Sequence, residues 1–108
     1  LLNADKIKMM KPSAYLVNIA RGKVVDSDAL TKAILSKQIA GAALDVFDPE
    51  PIPQSHPLLQ QKNVIITPHI ASASATVRER MAHMAVENII AALNNEPIPY
   101  CYNPSVYQ

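Results

Sequence analysis

The stretch that decides the fold runs from Leu44 to His69 and reads LDVFDPEPIPQSHPLLQQKNVIITPH. It contains two short apolar runs, and each run is stopped by a proline, first Pro49 and then Pro68. An ionisable side chain stands directly beyond each stop, Glu50 after the first and His69 after the second. This pattern predicts parallel strands that end at one edge of a sheet, where open α/β sheets bind ligands.

An earlier apolar run, residues 14–20, ends in the same way and is followed by Arg21 and Gly22. If the three runs are parallel strands of one sheet, Arg21, Glu50 and His69 come off their carboxyl ends. A guanidinium, a carboxylate and an imidazole are then expected to converge at a common edge.

The segments between these runs have the patterns of helices. Asn3 can cap a short helix over residues 5–10, and Asp26 or Ser27 can cap a helix that presents apolar residues at 30, 33 and 34. The strands are predicted at residues 14–20, from 39 or 40 to 47, and 64–67, with helices covering both sheet faces. A strand, a helix and a strand in this order favour parallel pairing, and so an α/β fold with a three-stranded parallel sheet.

A long amphipathic helix is predicted over residues 76–94, where Met81, Ala85, Ile89 and Leu93 recur every four residues. A helix of this length is longer than three short strands can cover, so part of it is expected to pack on structure outside this chain. We therefore divide the chain into residues 1–75 and residues 76–108, whose last part, 96–108, is predicted to be an extended arm.

Composition narrows the classes of partner. The 108 residues carry a net charge of +1 without a basic run, which argues against nucleic-acid and membrane-surface binding. Cys101 is the only cysteine, so no internal disulfide can form, and no apolar run has the length of a membrane span. We expect small molecules or proteins as partners, no metal site and a cytoplasmic location.

Arg21, His69 and Glu50 each have a functional and a structural interpretation. The planar fork of Arg21 matches the two oxygens of a carboxylate, although a surface arginine after a strand is common. His69 can exchange a proton near neutral pH, or it can be a loop histidine. A contact from the Glu50 carboxylate favours the charged imidazolium, which is the form of a general acid, although Glu50 can also be an exposed loop carboxylate.

Asp45 lies within an apolar run, where an unpaired carboxylate is costly. It is therefore expected to accept hydrogen bonds, either from the backbone or from a ligand amide, and the residues alone leave these alternatives even. Asn18, also within an apolar run, is expected to tie down the backbone of the following turn.

Together these segments resemble the carboxyl-terminal part of the D-isomer-specific 2-hydroxyacid dehydrogenases. The resemblance rests on ordered motifs: NIARG at 18–22, VD at 25–26, ALDVF at 43–47, EP at 50–51, HPL at 56–58, NV at 63–64 and TPHI at 67–70. It implies part of a Rossmann-type parallel sheet, in which Arg21 binds the substrate, His69 is the acid/base and Glu50 is its partner.

The resemblance also implies a cofactor, NAD or NADP, and a small 2-oxo or 2-hydroxy acid substrate. Asp45 would hold the nicotinamide carboxamide, with Ala20, Arg21, His69 and Ala71 lining the same end of the cofactor. The parent enzyme is expected to be a homodimer. The sequence of the proline-rich loop is most similar to the glyoxylate and hydroxypyruvate reductase branch.

Two departures from the family pattern bear on function. Ala71 stands where the family usually has glycine, and the chain has only Gly22 and Gly41, so the Gly-x-Gly-x-x-Gly phosphate turn is not within it. We therefore expect a C-terminal fragment of an oxidoreductase that is inactive in isolation. The alternatives are a non-enzymatic, dinucleotide-sensing module similar to corepressors, which tend to carry tryptophan after the histidine, and a purely structural domain.

Overall fold

The computed structural model describes residues 1–107 and contains a parallel sheet of three strands. The strands are β1 (Tyr15–Asn18), β2 (Gly41–Leu44) and β3 (Val64–Ile66), and they lie in the order β1-β2-β3. Both neighbouring pairs are parallel, so the predicted three-stranded parallel sheet is confirmed. The chain forms two compact units, Leu1–Ala71 and a second unit that begins at Ser72.

Two capped helices accompany the sheet. In α1 (Ala4–Lys8) the side chain of Asn3 accepts a hydrogen bond from the Lys6 N–H, as predicted. In α2 (Ser27–Leu35) Asp26 is the cap and accepts from the Ala29 N–H. The prediction for α1 extended it too far, since a tight turn at its end already bonds the Met9 N–H to the Lys6 carbonyl.

The core lies on one face of the sheet. Apolar residues from all these elements meet there, and the most buried large side chains are Ile7, Leu30, Ile34, Ile39 and Leu58. The expectation that both faces are covered is wrong for the described residues 1–107. Burial alternates along β1, and Tyr15 and Val17 are 66% and 64% exposed on the other face.

The strands are shorter than predicted, but their ladder bonds reach further. The Asp45 N–H donates to the Asn18 carbonyl at 3.0 Å, and the Thr67 N–H donates to the Leu44 carbonyl at 3.0 Å. Asp45 and Thr67 are thus the first residues beyond β2 and β3, and both are fixed to a neighbouring strand.

The proline-rich connection between β2 and β3 contains a short 3-10 turn at Pro57–Gln60, close to the predicted position. The His56 side chain caps it by accepting from the Leu58 N–H at 3.3 Å. The peptide bonds before Pro49 and Pro51 are cis.

The second unit consists mainly of α3 (Ala75–Leu93), capped by the Ser74 hydroxyl, and confirms the predicted long helix. Several apolar side chains of α3 are exposed, among them Met81, Val86, Ile89, Ile90 and Leu93. The predicted extended arm is interrupted by a 3-10 turn at Pro104–Tyr107, and its last residue, Gln108, lies outside the described residues. None of the helices in residues 1–107 has both the length and the apolar character needed to cross a bilayer.

Candidate active site

The carboxyl ends of β1, β2 and β3 are followed by residues 20–22, 45–50 and 67–71, which we call the rim. All of the site residues predicted from the sequence lie on it. Because the three strands run parallel and in register, their ends lie side by side. The rim therefore gathers side chains that are far apart in the sequence.

A clamp made by Asn18 shapes the first segment of the rim. Asn18 is buried at the end of β1, where its side-chain oxygen accepts from the Ala20 N–H at 3.1 Å and its amide donates to the Arg21 carbonyl at 3.0 Å. The expected structural role of Asn18 is confirmed. The backbone that carries Ala20 and Arg21 is thereby fixed from both sides.

Gly22 lets this first segment approach the end of β2. A Cβ atom at position 22 would overlap the carbonyl oxygen of Phe47, so no residue with a side chain fits there. The glycine that follows Arg21 is therefore required by close packing. It places Arg21 beside the segment that leads to Glu50.

Glu50 and His69 meet across the rim. The Nδ1 atom of His69 lies 2.7 Å from the Oε1 atom of Glu50, a short ion-pair geometry. Their side chains are 47% and 39% exposed, so the pair remains open to small molecules. The two residues are nineteen positions apart in the sequence, and the parallel strands bring them together.

Arg21 shares the rim, but its guanidinium does not bond to the pair in this structure. Its Nη1 atom donates to the carbonyl oxygen of Ala20 at 2.6 Å, and the side chain is exposed. Four further guanidinium N–H donors are available for a ligand in this state.

Asp45 is the buried acid of the rim, with 4% of its surface exposed. Its Oδ1 accepts from the Thr67 hydroxyl at 2.5 Å and from the Ile70 N–H at 2.8 Å. Its Oδ2 accepts from the Ala71 N–H at 2.8 Å. The alternative in which backbone groups satisfy Asp45 is therefore present in the structure.

These hydrogen bonds hold the pKa of Asp45 below its ordinary value of 3.8. The Thr67 hydroxyl makes the largest contribution, and burial opposes it by disfavouring the charged form. The Ile70 and Ala71 N–H groups and the nearby His69 add smaller lowering effects. Asp45 is therefore a carboxylate at neutral pH in spite of its burial.

The Glu50–His69 pair also borders an open pocket of about 400 Å³. The remaining lining is largely apolar and consists of Phe47, Pro51, Ile52, Ile66, Thr67 and Pro68. The two ionisable groups thus stand at an apolar concavity, which is the usual setting of a small-molecule site.

Sequence reasoning assigned no role to Thr67, which the structure shows as the side-chain partner of Asp45. The available signal was a hydroxyl residue at the end of one apolar run and an acidic residue within the neighbouring run. Among residues 1–107 there is no group of three or more histidine, cysteine, aspartate or glutamate side chains able to hold a metal ion.

Comparison with known proteins identifies the family. The family model described as "D-isomer specific 2-hydroxyacid dehydrogenase, NAD binding domain" matches residues 1–71. A glyoxylate reductase of Thermofilum pendens is 51% identical over 106 residues, which are 98% of this chain and 31% of that relative. The chain thus spans about a third of the length of the curated relative.

Two solved structures have the same fold. An NADPH-dependent glyoxylate/hydroxypyruvate reductase from Sinorhizobium meliloti, in complex with NADP and malonate, aligns with a TM-score of 0.74 and 43% identity over 83% of this chain and 28% of its own. A D-isomer specific 2-hydroxyacid dehydrogenase from Xanthobacter autotrophicus, in complex with NADPH and MES, aligns with a TM-score of 0.83 and 39% identity over 100% of this chain and 44% of its own.

Proposed function

Because this chain belongs to the D-isomer specific 2-hydroxyacid dehydrogenases, we propose that it forms the catalytic part of an oxidoreductase acting on a small 2-oxo or 2-hydroxy acid. The proposed substrates are glyoxylate and hydroxypyruvate, for which its relatives are named. The observation that carries the proposal is the 2.7 Å contact between Glu50 and His69 on an exposed rim.

The pair supplies the proton chemistry of the reaction. Glu50 accepts a hydrogen bond from Nδ1 of His69 and so leaves Nε2 as the nitrogen that faces the substrate. In the reduction, protonated His69 gives the Nε2 proton to the carbonyl oxygen of the 2-oxo acid. In the oxidation, neutral His69 takes the hydroxyl proton of the 2-hydroxy acid.

Arg21 is the proposed anchor of the substrate carboxylate. Its guanidinium is exposed on the same rim, and among residues 1–107 its one hydrogen bond is to the neighbouring Ala20 carbonyl. A planar fork can bind two oxygens of a 2-oxo acid and so fix which face of its C2 atom is presented. The Asn18 clamp and Gly22 keep the backbone of this anchor in place.

The nicotinamide end of NAD or NADP fits the donor and acceptor groups of the rim. A carboxylate offers about four acceptor sites, and three chain groups occupy three of those of Asp45. We propose that the remaining acceptor capacity on Oδ2 binds a carboxamide N–H, and that Ala20, Arg21, His69 and Ala71 line the same end of the cofactor. When bound, the cofactor supplies or accepts the hydride.

The phosphates of the cofactor have no glycine-rich turn to bind within this chain, which contains only two glycines. We therefore propose that residues 1–75 are half of a cofactor domain in a longer protein, and that residues 76–108 lead to its substrate domain. The isolated chain is expected to have no turnover. The proposal includes a homodimeric parent in the cytoplasm.

A chimera provides the test. In it, this chain replaces the corresponding segment of the Thermofilum pendens glyoxylate reductase, so that the missing two thirds are supplied. We expect the chimera to oxidise NADH or NADPH with glyoxylate, and His69→Gln to reduce kcat by about 10²- to 10⁴-fold. Cofactor binding, followed by nicotinamide fluorescence, is expected to persist in the variant.

His83→Gln is the matched control, because His83 lies on α3 and outside the rim. A folded chimera that binds the cofactor but shows no turnover would refute the enzymatic proposal and favour the dinucleotide-sensing module. Equal losses in His69→Gln and His83→Gln would remove His69 from the chemistry.

A further inference from the structure

His69 has an unusual backbone that needs an explanation. Its φ angle is 56°, in the left-handed region that residues other than glycine seldom adopt. Such a conformation persists only where surrounding contacts enforce it. Its ring reaches Glu50 from this conformation, so whatever enforces the backbone also sets the geometry of the pair.

The enforcing contacts surround His69 on both sides. The His69 N–H donates to the Thr67 carbonyl at 3.1 Å, and the next two N–H groups, those of Ile70 and Ala71, point at the Asp45 carboxylate at 2.8 Å each. The Asp45 carboxylate therefore accepts a hydrogen bond from each of the two residues that follow His69.

The carboxylate is itself held by Thr67. The Thr67 backbone is fixed to β2 through its bond to Leu44, and its hydroxyl donates to Oδ1, the same oxygen that accepts from Ile70. Asp45 and Thr67 occupy adjacent positions at the ends of paired strands, since Leu44 pairs with Ile66. The hydroxyl thus orients one carboxylate oxygen toward the turn from a rigid base.

We propose that Thr67 and Asp45 form a positioning pair that fixes His69 in its left-handed backbone conformation and thereby aligns its ring with Glu50 and the substrate. The inference rests on the proposed function for its catalytic consequence. Its geometric part concerns the turn alone and can be tested separately. Neither residue touches the reacting atoms in this role.

Thr67→Val removes the hydroxyl while keeping the shape of the side chain, and Thr67→Ser keeps the hydroxyl. In the chimera we expect Thr67→Val to lower kcat about tenfold, with the KM for glyoxylate little changed, and Thr67→Ser to restore most of kcat. In the full 108-residue chain, amide hydrogen exchange at Ile70 and Ala71 is expected to become about tenfold faster in Thr67→Val.

The matched control is Thr31→Val, because the Thr31 hydroxyl also donates a hydrogen bond, to the Ser27 carbonyl of α2, away from the rim. Unchanged exchange at Ile70 and Ala71 in Thr67→Val would overturn the proposal, as would equal losses of kcat in both valine variants. If Thr67→Val fails to fold, the exchange rates and kcat of Thr67→Ser decide, since both are expected near wild type. An inactive wild-type chimera with faster exchange in Thr67→Val would refute the proposed function and leave the positioning pair standing.

Discussion

Asp45 and Glu50 are carboxylates on the same rim, five residues apart, and they are held in opposite ways. Asp45 is 4% exposed and accepts three hydrogen bonds from the strand and turn beside it. Glu50 has 39% of its side chain exposed and contacts one partner, the imidazole of His69. Asp45 is hydrogen-bonded to the surrounding structure, whereas Glu50 contacts a side chain that can exchange a proton.

The difference shows that one edge of a sheet can carry both a structural carboxylate and a carboxylate that is accessible to a ligand. A buried carboxylate with three donors is a rigid part of the framework, because each lost bond leaves an unsatisfied group in a poorly solvated place. An exposed ion pair contributes little to stability, but its groups remain accessible to a ligand. The same residue type therefore serves two purposes according to burial.

The largest effect is expected from the titration of Asp45. Because hydrogen bonds, that of Thr67 foremost, lower its pKa in the folded state, its contribution to stability is fully present above the unfolded pKa of about 3.8. It is lost as the pH falls below that value and through the lower folded pKa. We expect Asp45→Asn to lower the free energy of unfolding at pH 7, and the difference from wild type to shrink below about pH 4.

Urea unfolding of the chain followed by circular dichroism, repeated between pH 2.5 and 7, measures this difference. Asp48→Asn is the control, because Asp48 is exposed on the following loop. A difference for Asp45→Asn that stays constant with pH would show that the carboxylate charge contributes nothing to the turn.

The sequence predicted the layout of this edge more completely than its details. Short apolar runs stopped by Pro49 and Pro68 were sufficient to predict parallel strands, and parallel strands brought Glu50 to His69. The predicted β2 was too long, since Val46 and Phe47 continue the apolar pattern although regular pairing ends near Asp45. An apolar pattern in the sequence indicates which residues are buried, whereas the bounds of a strand are defined by its hydrogen bonds.

The exposed sheet face and the roles of Asp45 and Thr67 were beyond the sequence for different reasons. Val17 and Ile65 are apolar and exposed, whereas an apolar run in a parallel strand predicts that both of its faces are covered. The partners of Asp45 are backbone N–H groups of residues 70 and 71. Every residue except proline has a backbone N–H, so the identity of a residue does not reveal which N–H groups bind a carboxylate.

A middle-sized effect is expected at the exposed acid. Glu50→Gln keeps the shape of the side chain but removes the charge that orients His69, and we expect kcat of the chimera to fall about tenfold while the KM for glyoxylate changes little. Asp48→Asn, on the same loop, is expected to leave both constants unchanged. Steady-state kinetics with glyoxylate distinguishes the two variants, and a normal kcat in Glu50→Gln would mean that the ion pair is incidental.

The smallest effect is expected at Asp26, an acid that combines features of both. It binds backbone as Asp45 does, through the Ala29 N–H at 2.9 Å, but it is exposed as Glu50 is. Asp26→Ala removes the cap of α2 and is expected to lower the free energy of unfolding by about 1 kcal/mol, whereas Asp26→Asn keeps an acceptor and should cost a few tenths of that. Asp28→Ala, in the first turn of α2, is the control. Urea unfolding at pH 7 compares the three variants, and an Asp26→Ala cost no larger than that of Asp28→Ala would mean that an acid must be buried before its bonds to the backbone matter.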